Sequence, residues 1–156
     1  MKKIVLTMFL CFSSLLLMAD IDLRVQNFTG VDGGSAEVVS TGWKNYGLKL
    51  SAGNEKDLRI TYKQIFSYYP GQVYELSADI SGKGTPFAEL NFLDADNKLL
   101  KTIPMNVKIH RNEMKARLDL RAEKFGSQPR RFQIVIGVKK GTSLLVEDVE
   151  FEIDND

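Results

Sequence analysis

The chain has 156 residues, of which 44% are hydrophobic, and its 21 Lys and Arg side chains against 20 Asp and Glu give a formal net charge of +1. A charge so close to zero argues against nucleic acid as a partner, because affinity for a polyanion comes mainly from an excess of basic side chains. The single cysteine, Cys11, excludes a disulfide scaffold.

The first 19 residues are predicted to be a secretory signal peptide. Lys2 and Lys3 form a short positive region, residues 4–18 are almost all apolar, and the small residue Ala19 ends a cleavage sequence. The apolar run is shorter than the roughly 20 residues that a membrane-spanning helix needs. Processing would leave one domain, residues 20–156, with 19 basic and 20 acidic side chains, no cysteine and no membrane span. We therefore expect the protein in the periplasm or outside the cell.

Alternation of apolar and polar side chains recurs along residues 20–156 in short segments separated by turn residues, as half-buried β-strands require. The first segments are 21–25, 36–40, 46–51 and 58–62. Pro70 and Gly71 then predict a type II turn. The clearest strand follows at 74–81, and the last two strands are predicted at 132–138 and 144–153.

This pattern predicts an all-β chain of about nine or ten strands with one apolar face each. Two antiparallel sheets packed face to face satisfy such strands best, so we predict a two-sheet antiparallel β-sandwich. A jelly roll is favoured over an immunoglobulin arrangement, which normally uses fewer strands and places a Trp in the core.

Three stretches carry a family resemblance. They are the strand YGLKL at 46–50, the string YKQIFSYYPGQVYELSADISGKG at 62–84 and the closing strand LLVEDVEFEI at 144–153. In this order and spacing they resemble the carbohydrate-binding modules of the family 4/9 type, which are jelly rolls of the galactose-binding-like superfamily. The resemblance covers roughly residues 30–153 and implies a jelly-roll fold and a polysaccharide or oligosaccharide ligand.

The same resemblance implies one metal and no other cofactor. Such modules often hold a structural calcium between the N-terminal segment and the closing strand. Asp148 is the residue of this sequence that matches the pattern. A carboxylate that accepts hydrogen bonds is the alternative role for Asp148.

Catalysis is not expected, and the protein is predicted not to be an enzyme. A glycosidase usually needs two carboxyl groups about 5 Å or about 6.5–9.5 Å apart, whereas Glu75 and Asp79 on one strand would be about 13 Å apart. A pairing of either residue with Glu89 across strands stays open. His110 is the sole histidine and has no nucleophile motif beside it.

Exposed aromatic side chains are the expected saccharide contacts, because a pyranose ring presents C–H groups on one face and hydroxyls at its rim. Trp43 lies in the polar segment TGWKN with Tyr46 beside it, and Tyr68 and Tyr69 precede the predicted type II turn. These four residues are the predicted carbohydrate-binding site, and packing at the end of the sandwich is their alternative role. Tyr74 is assigned to the core.

Two functions follow. The first is a non-catalytic exported module that binds a glycan through exposed aromatic residues. The alternative is a periplasmic or secreted β-sandwich that binds a protein and no glycan, through an exposed sheet edge or through the basic set Lys115, Arg117 and Arg121.

Overall fold

The computed structural model describes residues 19–121 and 123–154, and the predicted signal peptide up to residue 18 lies outside them. The strands are β1 (Ala19–Asp22), β2 (Phe28–Asp32), β3 (Gly34–Gly42), β4 (Asn45–Ala52), β5 (Leu58–Tyr62), β6 (Phe66–Ser67), β7 (Val73–Gly82), β8 (Pro86–Leu93), β9 (Leu99–Pro104), β10 (Asn106–His110), β11 (Glu113–Asp119), β12 (Arg131–Val138) and β13 (Ser143–Asp154). A 3-10 turn at Val25–Asn27 follows β1, and no α-helix occurs in this part of the chain.

The strands form two sheets that pack face to face. Sheet A has seven strands, six of them in the order β10-β11-β7-β13-β4-β3, and β1 pairs with β13 outside that path. Sheet B has six strands, five of them in the order β2-β5-β12-β8-β9, and β6 pairs with β12. All pairings are antiparallel. The predicted two-sheet antiparallel β-sandwich is confirmed.

The number of strands is higher than predicted, because thirteen are formed by the described residues. Two of these strands, β2 and β6, were not predicted from the sequence. In β2 the register against β5 shifts between Thr29 and Asp32, and Gly30 adopts a φ of 66°, so apolar and polar residues do not alternate. β6 has two residues, too few to show any periodicity.

Among residues 19–121 and 123–154, no helix combines the length and the apolar character needed to cross a bilayer.

Aromatic rings from both sheets meet in the middle of the core. Phe132 of β12 lies 5.0 Å from Tyr74 of β7 and 5.8 Å from Phe151 of β13, between ring centroids. All three side chains have no exposed surface. Aromatic pairs at such distances contribute about 0.5–1.5 kcal/mol each beyond their burial, so these rings help hold the sheets together. The assignment of Tyr74 to the core is confirmed.

The pairing partner of β13 changes from β4 to β1 at a bulge in β13. Residues 143–146 of β13 pair with β4, and residues 150–153 pair with β1 on the same side. Between them the register against β7 shifts, and Asp148 adopts a φ of 44°. The backbone N–H of Leu23 donates to the carbonyl of Val149 at 2.8 Å. The chain therefore leaves an opening between the start of β4 and the end of β1.

The buried hydrogen bond between Tyr74 and Gln72 gives a test of the core. The Tyr74 hydroxyl donates to Gln72 Oε1 at 2.7 Å, and burial raises the pKa of Tyr74, so the phenol stays protonated. We expect Tyr74→Phe to lower the free energy of unfolding by about 1–2 kcal/mol, because a buried acceptor loses its donor. Urea denaturation measures this loss. The matched control is Tyr62→Phe, whose hydroxyl accepts a longer bond of 3.4 Å from Asn27; equal losses in the two variants would contradict the assignment.

Candidate functional site

The hairpin between β3 and β4 presents the most exposed aromatic side chain among the described residues: Trp43 is 87% exposed. The ammonium of Lys44 lies 4.5 Å from the centroid of the Trp43 ring, and Lys44 itself has a φ of 64°. Tyr46, at the start of β4, is 49% exposed. The hairpin therefore holds two aromatic rings in solvent at one end of the strand pair.

Gly47 fixes the course of the chain directly after Tyr46. A Cβ atom at Gly47 would lie 2.8 Å from Leu145 Cδ1 and 2.9 Å from Glu147 Cγ. Such distances are below van der Waals contact, so glycine permits the close approach of β4 to β13 at this point. The approach places Tyr46 beside the bulge of β13.

A polar cleft of about 540 Å³ lies next to the hairpin, in the opening between β4 and β1. Its walls come from three segments: the end of β1 with the 3-10 turn, the start of β4, and the bulge of β13. The polar side chains that line it are Asp22, Arg24, Gln26, Asn27, Lys44, Asn45, Tyr46, Glu147 and Asp148. The cleft offers carboxylates, amides and cations, which are the groups that hydrogen-bond a hydroxyl-rich ligand.

Tyr68 and Tyr69 lie elsewhere, in the turn between β6 and β7. Tyr68 is half-buried and packs edge-on against Phe92 at 5.6 Å and Phe125 at 5.8 Å, and burial raises the pKa of its hydroxyl. Tyr69 is 61% exposed. The structure thus brings Trp43 and Tyr46 onto one hairpin and places the other two predicted residues on a separate turn.

Asp148 lies in the cleft wall, and its position bears on the expected calcium. Calcium takes about six to eight oxygen ligands. Among residues 19–121 and 123–154, no three Asp, Glu, His or Cys residues are grouped to hold a metal ion. The Asp148 side chain is exposed. The calcium site therefore stays a prediction.

A second polar surface, on the outer face of sheet B, was not found from the sequence. A groove of about 390 Å³ crosses all five strands of the sheet B order, from β2 through β5, β12 and β8 to β9. At its centre the guanidinium of Arg59 donates to both carboxylate oxygens of Glu89, at 3.1 and 3.3 Å. These hydrogen bonds raise the pKa of Arg59. The only sequence signal was that Arg59 and Thr61 alternate with buried residues along β5.

The sheet to which each strand belongs determines whether Glu89 can form a catalytic pair with Glu75 or Asp79. Glu75 and Asp79 belong to β7 in sheet A, whereas Glu89 belongs to β8 in sheet B, and all three side chains alternate with inward-facing residues. The two outer faces point in opposite directions. The open pairing of Glu89 with Glu75 or Asp79 is therefore wrong.

The basic set on β11 and after it is matched by acidic side chains. Lys115 lies 3.1 Å from Glu113, and Arg117 forms an ion pair with Glu75. Arg121 binds Asp119, and hydrogen bonds from its side chain and its backbone N–H lower the pKa of Asp119 to about 2. Each of the three basic side chains expected to form a cationic face is thus paired with a nearby carboxylate.

The fold is similar to those of solved carbohydrate-binding modules. The xylan-binding domain CBM22-1 of Xyn10C from Paenibacillus barcinonensis superposes with a TM-score of 0.56 and 10% identity, over 88% of this chain and 94% of that domain. The CBM22-1-GH10 modules of Clostridium thermocellum Xyn10B give a TM-score of 0.55 and 11% identity, over 88% of this chain and 28% of that one.

The fold is also similar to part of a phage protein. The enzymatically active domain of tailspike protein 4 from bacteriophage CBA120 gives a TM-score of 0.54 and 16% identity, over 84% of this chain. This chain spans 20% of that tailspike chain. No protein-family model and no curated protein sequence matches the chain. At these identities the likeness shows the fold alone.

The left-handed conformation of Asp148 gives a test that separates a backbone role from a ligand role. At a φ of 44° a side chain with a branched Cβ is strained by about 1–2 kcal/mol, whereas glycine is not. We expect Asp148→Val to lower the free energy of unfolding by about that amount and Asp148→Gly to change it little. Chemical denaturation with and without added calcium measures both. Equal losses in the two variants, together with stabilisation by calcium, would show that the carboxylate itself is needed.

Proposed function

We propose that this protein is a non-catalytic exported glycan-binding module of the family 4/9 type, which holds a saccharide on Trp43 and Tyr46 beside the hairpin cleft. One observation carries the proposal: an 87% exposed Trp43 lies directly before residues that line a polar cleft. Burying so large an apolar side chain is favourable, so an aromatic ring left in solvent on a hairpin between paired strands is suited to a ligand. The similarity of the fold to carbohydrate-binding modules supports the same function.

The chemistry of the hairpin suits a sugar ring in particular. The flat face of a pyranose packs its C–H groups on an indole or phenol ring, while its hydroxyls need donors and acceptors at the edge. Asn27 and Asn45 offer planar amides in the cleft, and Asp22 offers a carboxylate. A cleft of about 540 Å³ falls within the range of about 300–1,000 Å³ of small-ligand sites.

The non-catalytic part of the proposal is supported by the positions of the acidic side chains. Glu75 is engaged by Arg117, and Glu89 is held by Arg59 through two hydrogen bonds. A glycosidase needs one carboxyl group free to donate a proton and another placed across the bond from it. The three carboxylates considered from the sequence do not form such a pair.

Export is proposed on the sequence of residues 1–19. The positive and apolar regions of this segment have the order found in secretory signal peptides. The sole cysteine lies in that segment at position 11, so the sandwich contains no thiol that an oxidising compartment would modify.

The site is tested by substitution of the two hairpin aromatics. We expect Trp43→Ala to weaken retention on the bound polysaccharide by about tenfold or more, which corresponds to about 1.4 kcal/mol, and Tyr46→Ala to weaken it less because Tyr46 is less exposed. The melting temperature of Trp43→Ala should stay nearly unchanged, since the ring packs on Lys44 in solvent. Affinity electrophoresis in xylan and a glycan array are the measurements.

The matched control is Tyr69→Ala, which removes an exposed aromatic ring from the turn between β6 and β7 and should leave retention unchanged. Loss of retention in Arg59→Ala with full retention in Trp43→Ala would show that the saccharide binds in the sheet B groove instead of at the hairpin. Binding to no glycan of the array and to no xylan would overturn the function itself.

A further inference from the structure

The main strand orders of the two sheets end in four strands, β10 and β3 in sheet A and β2 and β9 in sheet B. Three of these four carry features that discourage pairing with another chain. β10 has five residues and includes Lys108 and His110. β9 includes Lys101 and ends at Pro104, which lacks a backbone N–H. β2 has five residues and a register shift. Short strands, lysines, prolines and bulges are the usual means by which sheet edges are protected.

The fourth edge, β3, has almost none of these features. It is nine residues long, GSAEVVSTG, and Glu37 is its one charged side chain. It contains no proline and no lysine, and its register shift lies at the far end, between Ser40 and Gly42. Among the described strands β3 pairs with β4 alone. Its outer row of backbone N–H and C=O groups is therefore available to another strand.

The side chains of β3 favour one particular partner. Val38 lies at the middle of the strand and is 42% exposed. In an antiparallel pair of two β3 strands centred on Val38, the residue faces its own copy and Glu37 faces Val39 of the other copy. Within its own chain Glu37 lies opposite Lys49 of β4. No like charges would stand directly opposite each other, and two apolar side chains would be removed from water at the centre.

We propose that β3 is a homodimer edge: two copies of this chain pair their β3 strands antiparallel about Val38. The two seven-stranded sheets then become one continuous sheet. Such a contact uses the same surface on both subunits, as closed two-fold dimers do. The pairing satisfies backbone groups of both edges and is independent of glycan binding.

The oligomeric state tests the proposal. Sedimentation velocity of the purified protein should show a concentration-dependent dimer in the micromolar to millimolar range. Val38→Lys should raise the dissociation constant by about tenfold or more, because an edge lysine opposes strand pairing. Ile109→Lys, on the opposite edge of the same sheet and 49% exposed, is the matched control and should leave the dimer intact. A monomer throughout, or a dimer more sensitive to Ile109→Lys than to Val38→Lys, overturns the proposal.

A cysteine cross-link tests the register. Residues directly opposite in an antiparallel pair have Cα atoms about 4.5–5.5 Å apart, within the span of a disulfide. In a Cys11→Ser background, Val38→Cys should form a covalent dimer under mild oxidation and Ile109→Cys should not. Cross-linking of neither variant, or of both equally, overturns the pairing centred on Val38. Circular dichroism of each variant verifies that it is folded.

Discussion

The pairing of β13 is the constraint on which the candidate site depends. On one side β13 stays paired with β7 along most of its length, and on the other it is paired first with β4 and then with β1. The exchange of partners needs one extra residue, which the bulge at Asp148 supplies. β4 and β1 pair with separate parts of the same edge of β13, residues 143–146 and 150–153. A gap with polar walls therefore remains between the two strands. The cleft is thus a result of sheet topology, and its position is set by backbone hydrogen bonds.

The outer faces of both sheets carry ion pairs between oppositely charged side chains. Arg117 and Glu75 link the neighbouring strands β11 and β7 in sheet A, and Arg59 and Glu89 link β5 to β8 across β12 in sheet B. Exposed pairs of this kind contribute little to stability, but those on β11 and after it offset the positive charge of the basic set. The proposed saccharide site therefore depends on the hairpin aromatics and the polar cleft rather than on the basic set on β11.

The sequence was a good guide wherever one face of a strand is buried. In β7 the alternation of Tyr74, Leu76 and Ala78 with polar residues reproduces the observed burial, because period-two patterning reports directly which side meets the core. The same argument fails for β2, where a positive-φ glycine breaks the period, and for β6, which is too short. It also cannot say which sheet a strand joins. The open pairing of Glu89 with Glu75 or Asp79 is wrong for this reason. The sequence likewise gives no distance between the turn of Tyr68 and Tyr69 and the hairpin of Trp43.

The exposure of Trp43 determines how freely this position of the sequence can vary while the sandwich stays folded. The ring touches solvent and its neighbour Lys44, while the core rings lie on other strands. Replacing the Trp43 side chain therefore carries almost no folding penalty, whereas Lys44 beside it holds a φ of 64° that a β-branched residue would strain. In the proposed glycan-binding role, selectivity can therefore be changed through this exposed position while the scaffold stays constant, in the way that antibody loops vary on a conserved framework.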